Sequence, residues 1–368
     1  MAEPIRIPVP NKDYYAWPYE GQTQIKHKVF GAYWRIWVAK LGRFNNTMFM
    51  DCHGGCGAYI DGDKVYYGSS IIADAIATDV NSKSDRKYKN YICVCEIDPD
   101  NVANLEKVWI DQHCSKNRRI KNQDFNEVIF EQKIKDYYTT HPTLFLIDPF
   151  GYDLKMANMV GLMGYKGSEI IINFMFDHMN RFLSVEATDQ QRDEYFGSTD
   201  WRKALSLNGH DREMFLVKLY KDSLKKNANA KFVFAYKLSY PDKNQTYYYL
   251  IHATNNIEGI THMKNSFASV NNGRIEYLGK RQNEMSLFDL SSYKTMDLAA
   301  TALSSFVNKT MTFESVWEAI VEDVPYLEKD LSEAIQQLED EGKLVVERVS
   351  SKRARYKGQD LIKFGANL

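Results

Sequence analysis

The sequence predicts an α/β fold: a parallel sheet covered on both faces by helices, an antiparallel hairpin at its edge, and a small C-terminal winged helix. Three observations carry this. Apolar runs such as "TMFMD", "NYICVCEIDPD", "TLFLIDPFGYD" and "EIIINFMF" alternate with helical segments. Two β-rich runs, "KFVFAYKLSYP" and "TYYYLIHATN", flank the polar "DKNQ" as a hairpin flanks its turn. A polar link, "KRQNEMSLFDLSSYK", then precedes a segment of different character, which places one domain over 1–290 and a second over 296–368.

Composition allows this size. The chain has 368 residues, 44% hydrophobic and 13% aromatic, enough for one large core and a small one. A net charge of -1 excludes a generally basic polyanion binder, so any nucleic-acid surface is a local patch. The N-terminus, "MAEPIRIPVPNKDYYAWPYEG", lacks the pattern of a signal peptide, and no apolar run is long enough for a membrane span. Five scattered cysteines point to a reducing, cytoplasmic setting.

The elements follow in order. Ile25, Val29, Ala32, Tyr33, Ile36 and Trp37 recur at helical spacing and predict an amphipathic helix over Gln22 to Leu41. A strand ends at Asp51, a glycine-rich turn follows, and a loop holding Asp61, Gly62 and Lys64 leads to a helix over Gly68 to Val80. The second strand ends at Glu96 with a helix behind it, and a basic stretch reaches Asp124. The third strand ends in "IDPFG", Ile147 to Gly151, and the fourth is followed by "HMNR", placed to close a cleft. Tyr247 to Tyr249 read as strand core. In the last domain "TFESVWEAIVED" and "YLEKDLSEAIQQLEDEGK" are helices, the second capped at Gly342. "LVVERVSSKRARYKGQDLIKF" is a two-stranded wing with Lys352, Arg353, Arg355 and Lys357 at its tip, suited to phosphate contacts. Glu328, Glu333, Glu339, Asp340 and Glu341 on the preceding helix oppose DNA, so a protein-docking role competes with nucleic-acid contact.

The glycine turn is the first candidate site. A phosphate-cradling loop fails, because Lys64 stands one place late with no hydroxyl residue after it. A dinucleotide fingerprint lacks its third glycine, where Ile60 stands. Asp51, Gly55 and Gly57 fit the looser Asp-x3-Gly-x-Gly pattern of an S-adenosylmethionine (SAM) site, the acid for the ammonium and bare amides for the carboxylate. Glu96 is placed to accept both ribose hydroxyls, and Asp124 the adenine amine. "IDPFG" resembles the Asp/Asn-Pro-Pro-Tyr/Phe corner of amine methyltransferases, which makes Asp148, Pro149 and Phe150 the expected catalytic residues. Phe150 stands where the second proline usually is, and Gly151 where the aromatic is.

"TQIKHKVFGAYW", "MDCHGGCGAY", "GSSIIA", "CVCEID", "LIDPFG", "EYFGSTDW" and "YLIHATNNIEGITHMK" occur in an order that resembles the three-Cys-motif partner family, TcmP. The resemblance implies a Rossmann-like methyltransferase fold and a neighbouring-gene partner that carries three cysteines. It raises the case that Lys26 and His27 line the cofactor or substrate cleft rather than a solvated face. Cys52, Cys56, Cys93 and Cys95 have the wrong spacing for a zinc ribbon. With Cys93 and Cys95 read as facing opposite sides of their strand, these thiols are expected to pack in the core and hold no metal. The expected function is SAM-dependent methylation of a nucleobase amine in DNA or RNA. The alternative is a non-catalytic nucleotide- or SAM-binding protein with an interaction module.

Overall fold

The computed structural model describes residues 5–83, 88–149, 151–240, 245–273, 276, 297–298, 302–349, 356 and 358–366. The chain divides into two compact units, Met1–Arg274 and Ile275–Leu368.

In the first unit, β1 (Ile7–Pro8) and β2 (Tyr15–Pro18) precede the long helix α1 (Gly21–Leu41). Then come β3 (Thr47–Asp51), the hairpin β4 (Ala58–Asp61) and β5 (Lys64–Tyr67), and α2 (Ser69–Ser82). Strand β6 (Asn90–Cys95) leads to α3 (Pro99–Asp111), started by Pro99 and capped by Asp98. Next are β7 (Arg118–Lys121), α4 (Phe125–Val128), α5 (Gln132–Thr140), β8 (Thr143–Ile147) and β9 (Glu169–Phe174). Helices α6 (Phe176–Arg181), α7 (Asp189–Phe196) and α8 (Gly209–Ala228) separate β9 from β10 (Phe232–Ser239) and β11 (Thr246–Thr254), and α9 (Ile257–Val270) ends the unit.

The main sheet runs β10-β11-β9-β8-β3-β6-β7. The pairs from β9 across to β7 are parallel, and β11 runs antiparallel to both β9 and β10. The expected parallel sheet with an antiparallel hairpin is therefore present, with the second hairpin strand tucked inside the first. From β3 the chain moves to β6 and β7 on one side, then returns to β8 on the other. Ligands in open α/β sheets sit beyond the carboxyl ends of the strands at such a reversal.

Two expectations change. The glycine turn leads not into a loop but into the β4–β5 hairpin, which joins β1 and β2 in a second sheet of order β1-β2-β4-β5. The side chain of Asn104 fastens this roof to α3, bonding the backbone of Tyr15 in both directions (2.8 and 2.9 Å) and the Cys56 carbonyl (2.8 Å). Cys93 and Cys95, two apart, share one strand face and join Cys52 in the same core cluster, as a period of two requires. Among the described residues no group of three or more His, Cys, Asp or Glu is placed to hold a metal ion.

"EYFGSTDW" is a packing motif. Arg192 is fully buried, stacks 4.3 Å from the Trp201 ring, and donates to the carbonyls of Phe182 and Val185 at 2.8 Å. "YLIHATNNIEGITHMK" also serves the core. At the amino end of β9, Glu169 accepts from Tyr33 of α1 and from Thr254 (3.0 Å) and faces His252 Nε2 at 2.8 Å. A Cβ on Gly259 would come 2.6 Å from the Glu169 carboxylate, so the helix α9 needs glycine there.

In the second unit, Thr312 caps a helix over Phe313–Ile320, and a second helix spans Glu328–Asp340. Gly342 follows it at φ +71, the left-handed geometry expected of a cap. Strands β13 (Leu344–Glu347) and β14 (Leu361–Phe364) pair antiparallel as the two strands of the wing, and β12 (Thr310–Thr312) adds a third strand beside β14. Arg348 neutralises Glu339 at 2.7 and 2.5 Å, so part of the helix's acidity is satisfied within the unit. Lys352, Arg353, Arg355 and Lys357 lie outside the described residues.

Candidate functional site

The parallel strands deliver acids to one rim. Glu96, just past β6, is held at both oxygens by backbone N–H groups: Gly55 at 2.7 Å and Asp98 at 2.9 Å. Gly55 and Gly57 adopt φ +61 and +82. A Cβ would come 2.9 Å from the Trp17 ring at Gly55 and 2.4 Å from Leu105 at Gly57. The glycines thus let the turn pass between the roof and α3 while aiming one amide at Glu96.

Glu96 lines a cavity of about 250 Å³ together with Asp98, Asp124, Phe125, His53 and Trp17. Among the described residues, five carboxylates (Glu96, Asp98, Asp124, Asp148 and Asp153) and no lysine or arginine line it. Asp98 is paired with Arg6 at 2.8 Å and Asp148 with Lys26; the remaining acids disfavour a pyrophosphate more than SAM, which is cationic at sulfur and ammonium and anionic only at one carboxylate. Each Glu96 oxygen keeps a second lone pair for a ribose hydroxyl. Asp124 caps α4 through Oδ1, which accepts from the Asn126 amide at 2.7 Å, and its Oδ2 has no protein partner among the described residues.

A second cavity of about 380 Å³ meets the first at Asp148, Trp17 and Tyr59. Four aromatics, Trp17, Tyr59 and Tyr247 and Tyr248 of β11, line it beside the polar Glu20, Thr23, Lys26 and Asn173. Tyr247 and Tyr248 are therefore cavity wall as well as strand, whereas Tyr249 lines neither cavity and donates to Glu213.

Asp148 stands between the two spaces. Its Oδ2 pairs with Lys26, its Oδ1 accepts from Asn173 at 2.5 Å, and its backbone N–H donates to His53 Nδ1 at 3.1 Å. Burial pushes the Asp148 carboxyl up, but Lys26 and Asn173 outweigh burial and hold it below the usual carboxylate range. Lys26 and Pro149 line the second cavity; Phe150 lies outside the described residues. Gly151 opens the next loop at φ +68, against the His178 ring. Sequence reasoning missed Asn173, Trp17 and Tyr59; the only signal for Asn173 was a polar residue inside the apolar run of β9.

Three residues sit differently from expectation. Asp51 is 1% exposed and lines neither cavity; it accepts from the Ser69 hydroxyl and from the His53 amide at 3.4 Å, closing the turn from behind. Gly57 also lies outside the lining, packed on α3. His27 is buried beside Tyr59 and bonded to the Tyr19 hydroxyl at 3.1 Å, with burial holding its pKa down to about 3, so it supports the roof rather than the cleft.

Burial lifts the Asp51 carboxyl to about 6, against the pull of Ser69 and His53. A carboxyl that holds its proton more tightly when folded adds stability below its unfolded pKa, and that stability is lost as pH rises toward 6. Asp51→Asn is therefore expected to gain on the wild type by about 2 kcal/mol at pH 7 relative to pH 4. Urea midpoints at the two pH values check this; an equal difference at both would contradict the burial of Asp51.

Residues 276–351 match the family model described as a GMT-like wHTH domain. No curated protein sequence matches the chain. Among solved structures, an rRNA methylase from Streptococcus thermophilus is similar at 9% identity, covering 60% of this chain and 92% of that one with a TM-score of 0.28. Cofactor-bound Rv0187 from MTB gives 8% identity, 64% and 81% coverage and a TM-score of 0.33. Protein LPL1258 from Legionella pneumophila gives 10%, 66%, 92% and 0.37. Five parallel strands with an antiparallel hairpin at one edge make the first unit a Rossmann-like α/β fold, and a wHTH domain follows it in the chain. Among the described residues no helix is long and apolar enough to cross a membrane.

Proposed function

We propose that the chain is a SAM-dependent methyltransferase whose acceptor is a nucleobase amine in DNA or RNA. The observation that carries this reading is the meeting of two cavities at Asp148, one lined by five carboxylates, the other by Trp17, Tyr59, Tyr247 and Tyr248 among its residues. Glu96 and Asp124 hold the adenosine end of SAM, which, when bound, supplies an electrophilic methyl group. Asp148 accepts a hydrogen bond from the acceptor amine and turns its lone pair toward the first cavity. Trp17, Tyr59 and Tyr247 sandwich a flat base and keep water out. Methyl transfer depends on alignment more than on acid–base chemistry, so positioning groups suffice.

One observation favours the non-catalytic alternative: both Asp148 oxygens already have protein partners. A carboxylate offers about four lone-pair positions, so an amine still finds an acceptor. The wing cations add phosphate contacts to the nucleic acid. The test incubates the full chain with methyl-labelled SAM and separate DNA and RNA pools, then analyses the bases. Label on a base amine is expected, with less transfer when Lys352, Arg353 and Arg355 become alanine. SAM binding without transfer to either pool supports the alternative; no SAM binding removes the methyltransferase reading and leaves the alternative only as nucleotide binding.

A further inference from the structure

Lys26 does more than neutralise Asp148. It is only 9% exposed, and it lines the second cavity but not the acidic one. A lysine ammonium has three N–H donors. One goes to Asp148 Oδ2, and the other two have no protein partner among the described residues. Open donors on a buried charge are costly until a ligand or water takes them. Among the described residues that line this cavity, Lys26 is also the single cation.

The wall therefore presents an acceptor and a donor side by side. Asp148 borders both cavities, so an amine bound to it sits at their junction. Lys26 belongs to the second cavity alone, where the rest of a flat ring would lie. An ion pair of zero net charge matches a neutral edge that offers an N–H donor beside a bare ring nitrogen. Adenine has that edge at its 6-amine, flanked by N1 and N7, and cytosine at its 4-amine, flanked by N3. Guanine differs: its amine is flanked by the N1–H donor and, on the sugar side, by N3. Uracil and thymine have no amine. Resting on the proposed methyl transfer, we infer that Lys26 donates to the ring nitrogen beside the acceptor amine. That contact selects adenine or cytosine and rejects guanine, so Lys26 determines specificity while Asp148 holds the amine.

Deaza bases test this, because replacing one ring nitrogen by C–H removes the acceptor and keeps the amine. The full chain is incubated with methyl-labelled SAM and single-stranded oligonucleotides. Each carries one adenine, cytosine or guanine in a thymine or uracil tract. Label is expected on adenine or cytosine and not on guanine. With 1-deaza- or 7-deazaadenine, or with 3-deazacytosine, kcat/KM is expected to fall about tenfold to a hundredfold, the loss of one hydrogen bond to a charged group. For adenine, only one of the two deaza forms is expected to show the loss. Lys26→Met is expected to slow transfer to the natural base and to abolish its advantage over that deaza base. A purely structural role does not produce this coupling. Lys26→Arg keeps spare donors and is expected to retain the advantage. Where melting shows Lys26→Met unfolded, oligonucleotide affinity is compared between Asp148→Asn and Asp148→Asn with Lys26→Met. The advantage is then expected in the first and not in the second. Label on guanine, deaza bases methylated as fast as natural ones, or an advantage that survives Lys26→Met overturns the assignment and leaves the methyltransferase reading standing. Label on no base removes both.

Discussion

Asp148→Asn is expected to lower methyl transfer at least a thousandfold, about 4 kcal/mol of transition-state alignment, while SAM affinity stays within a few-fold. Asparagine keeps the shape and still accepts from Asn173, so the corner remains in place. It presents an amide to the acceptor amine where a charged acceptor stood. It also leaves Lys26, 11% exposed at its side chain, without its counter-ion, and unpaired buried charges cost about 3–5 kcal/mol. Thermal melting therefore accompanies the kinetics. Adding Lys26→Met is expected to return stability without returning transfer. If the double variant regains transfer, Asp148 acts through folding and not on the acceptor; if SAM binding disappears with Asp148→Asn, the residue belongs to the cofactor cavity alone.

Glu96→Ala is expected to weaken SAM a hundredfold to a thousandfold. Two charge-assisted hydrogen bonds to the ribose are lost, each worth about 1.5–3 kcal/mol, partly offset by water entering the space. The amides of Gly55 and Asp98 lose their shared acceptor as well, so the glycine turn loosens. Glu96→Gln keeps one acceptor oxygen and is expected to fall between alanine and wild type. Calorimetry with S-adenosylhomocysteine reads both variants. An unchanged affinity in Glu96→Ala would place the adenosine elsewhere.

The main sheet and its rim of acids were legible because β3, β6 and β8 are buried apolar runs that lead to Asp51, Glu96 and Asp148, whereas β7 is basic and half-exposed and β9 ends at Phe174. The roof was not. Strands of two to four residues, such as Ile7–Pro8 and Lys64–Tyr67, are too short for alternation to show, and only pairing with each other makes them strands. Orientation was the other blind spot. A carboxylate at a strand end reads the same whether it turns outward, as Glu96 does, or inward, as Asp51 does; helix α2, which brings Ser69 behind it, decides. Lys26 and His27 are adjacent and both buried, but about 100° of helical turn sends one to Asp148 and the other to Tyr19. The cation cluster of the wing was plain in the sequence, but its geometry lies outside the described residues.

The buried Glu169 carries a consequence beyond the core. It grips Tyr33 of α1, and its own strand, four residues on, supplies Asn173 to Asp148. Seven residues back along α1, Lys26 supplies the other grip on Asp148. About 10 Å of helix and about 13 Å of strand thus run from one joint at Glu169 to a second joint at Asp148. Helix and strand form a closed truss: neither can slide without breaking a joint, so the Asp148 carboxylate is braced from the opposite end of β9.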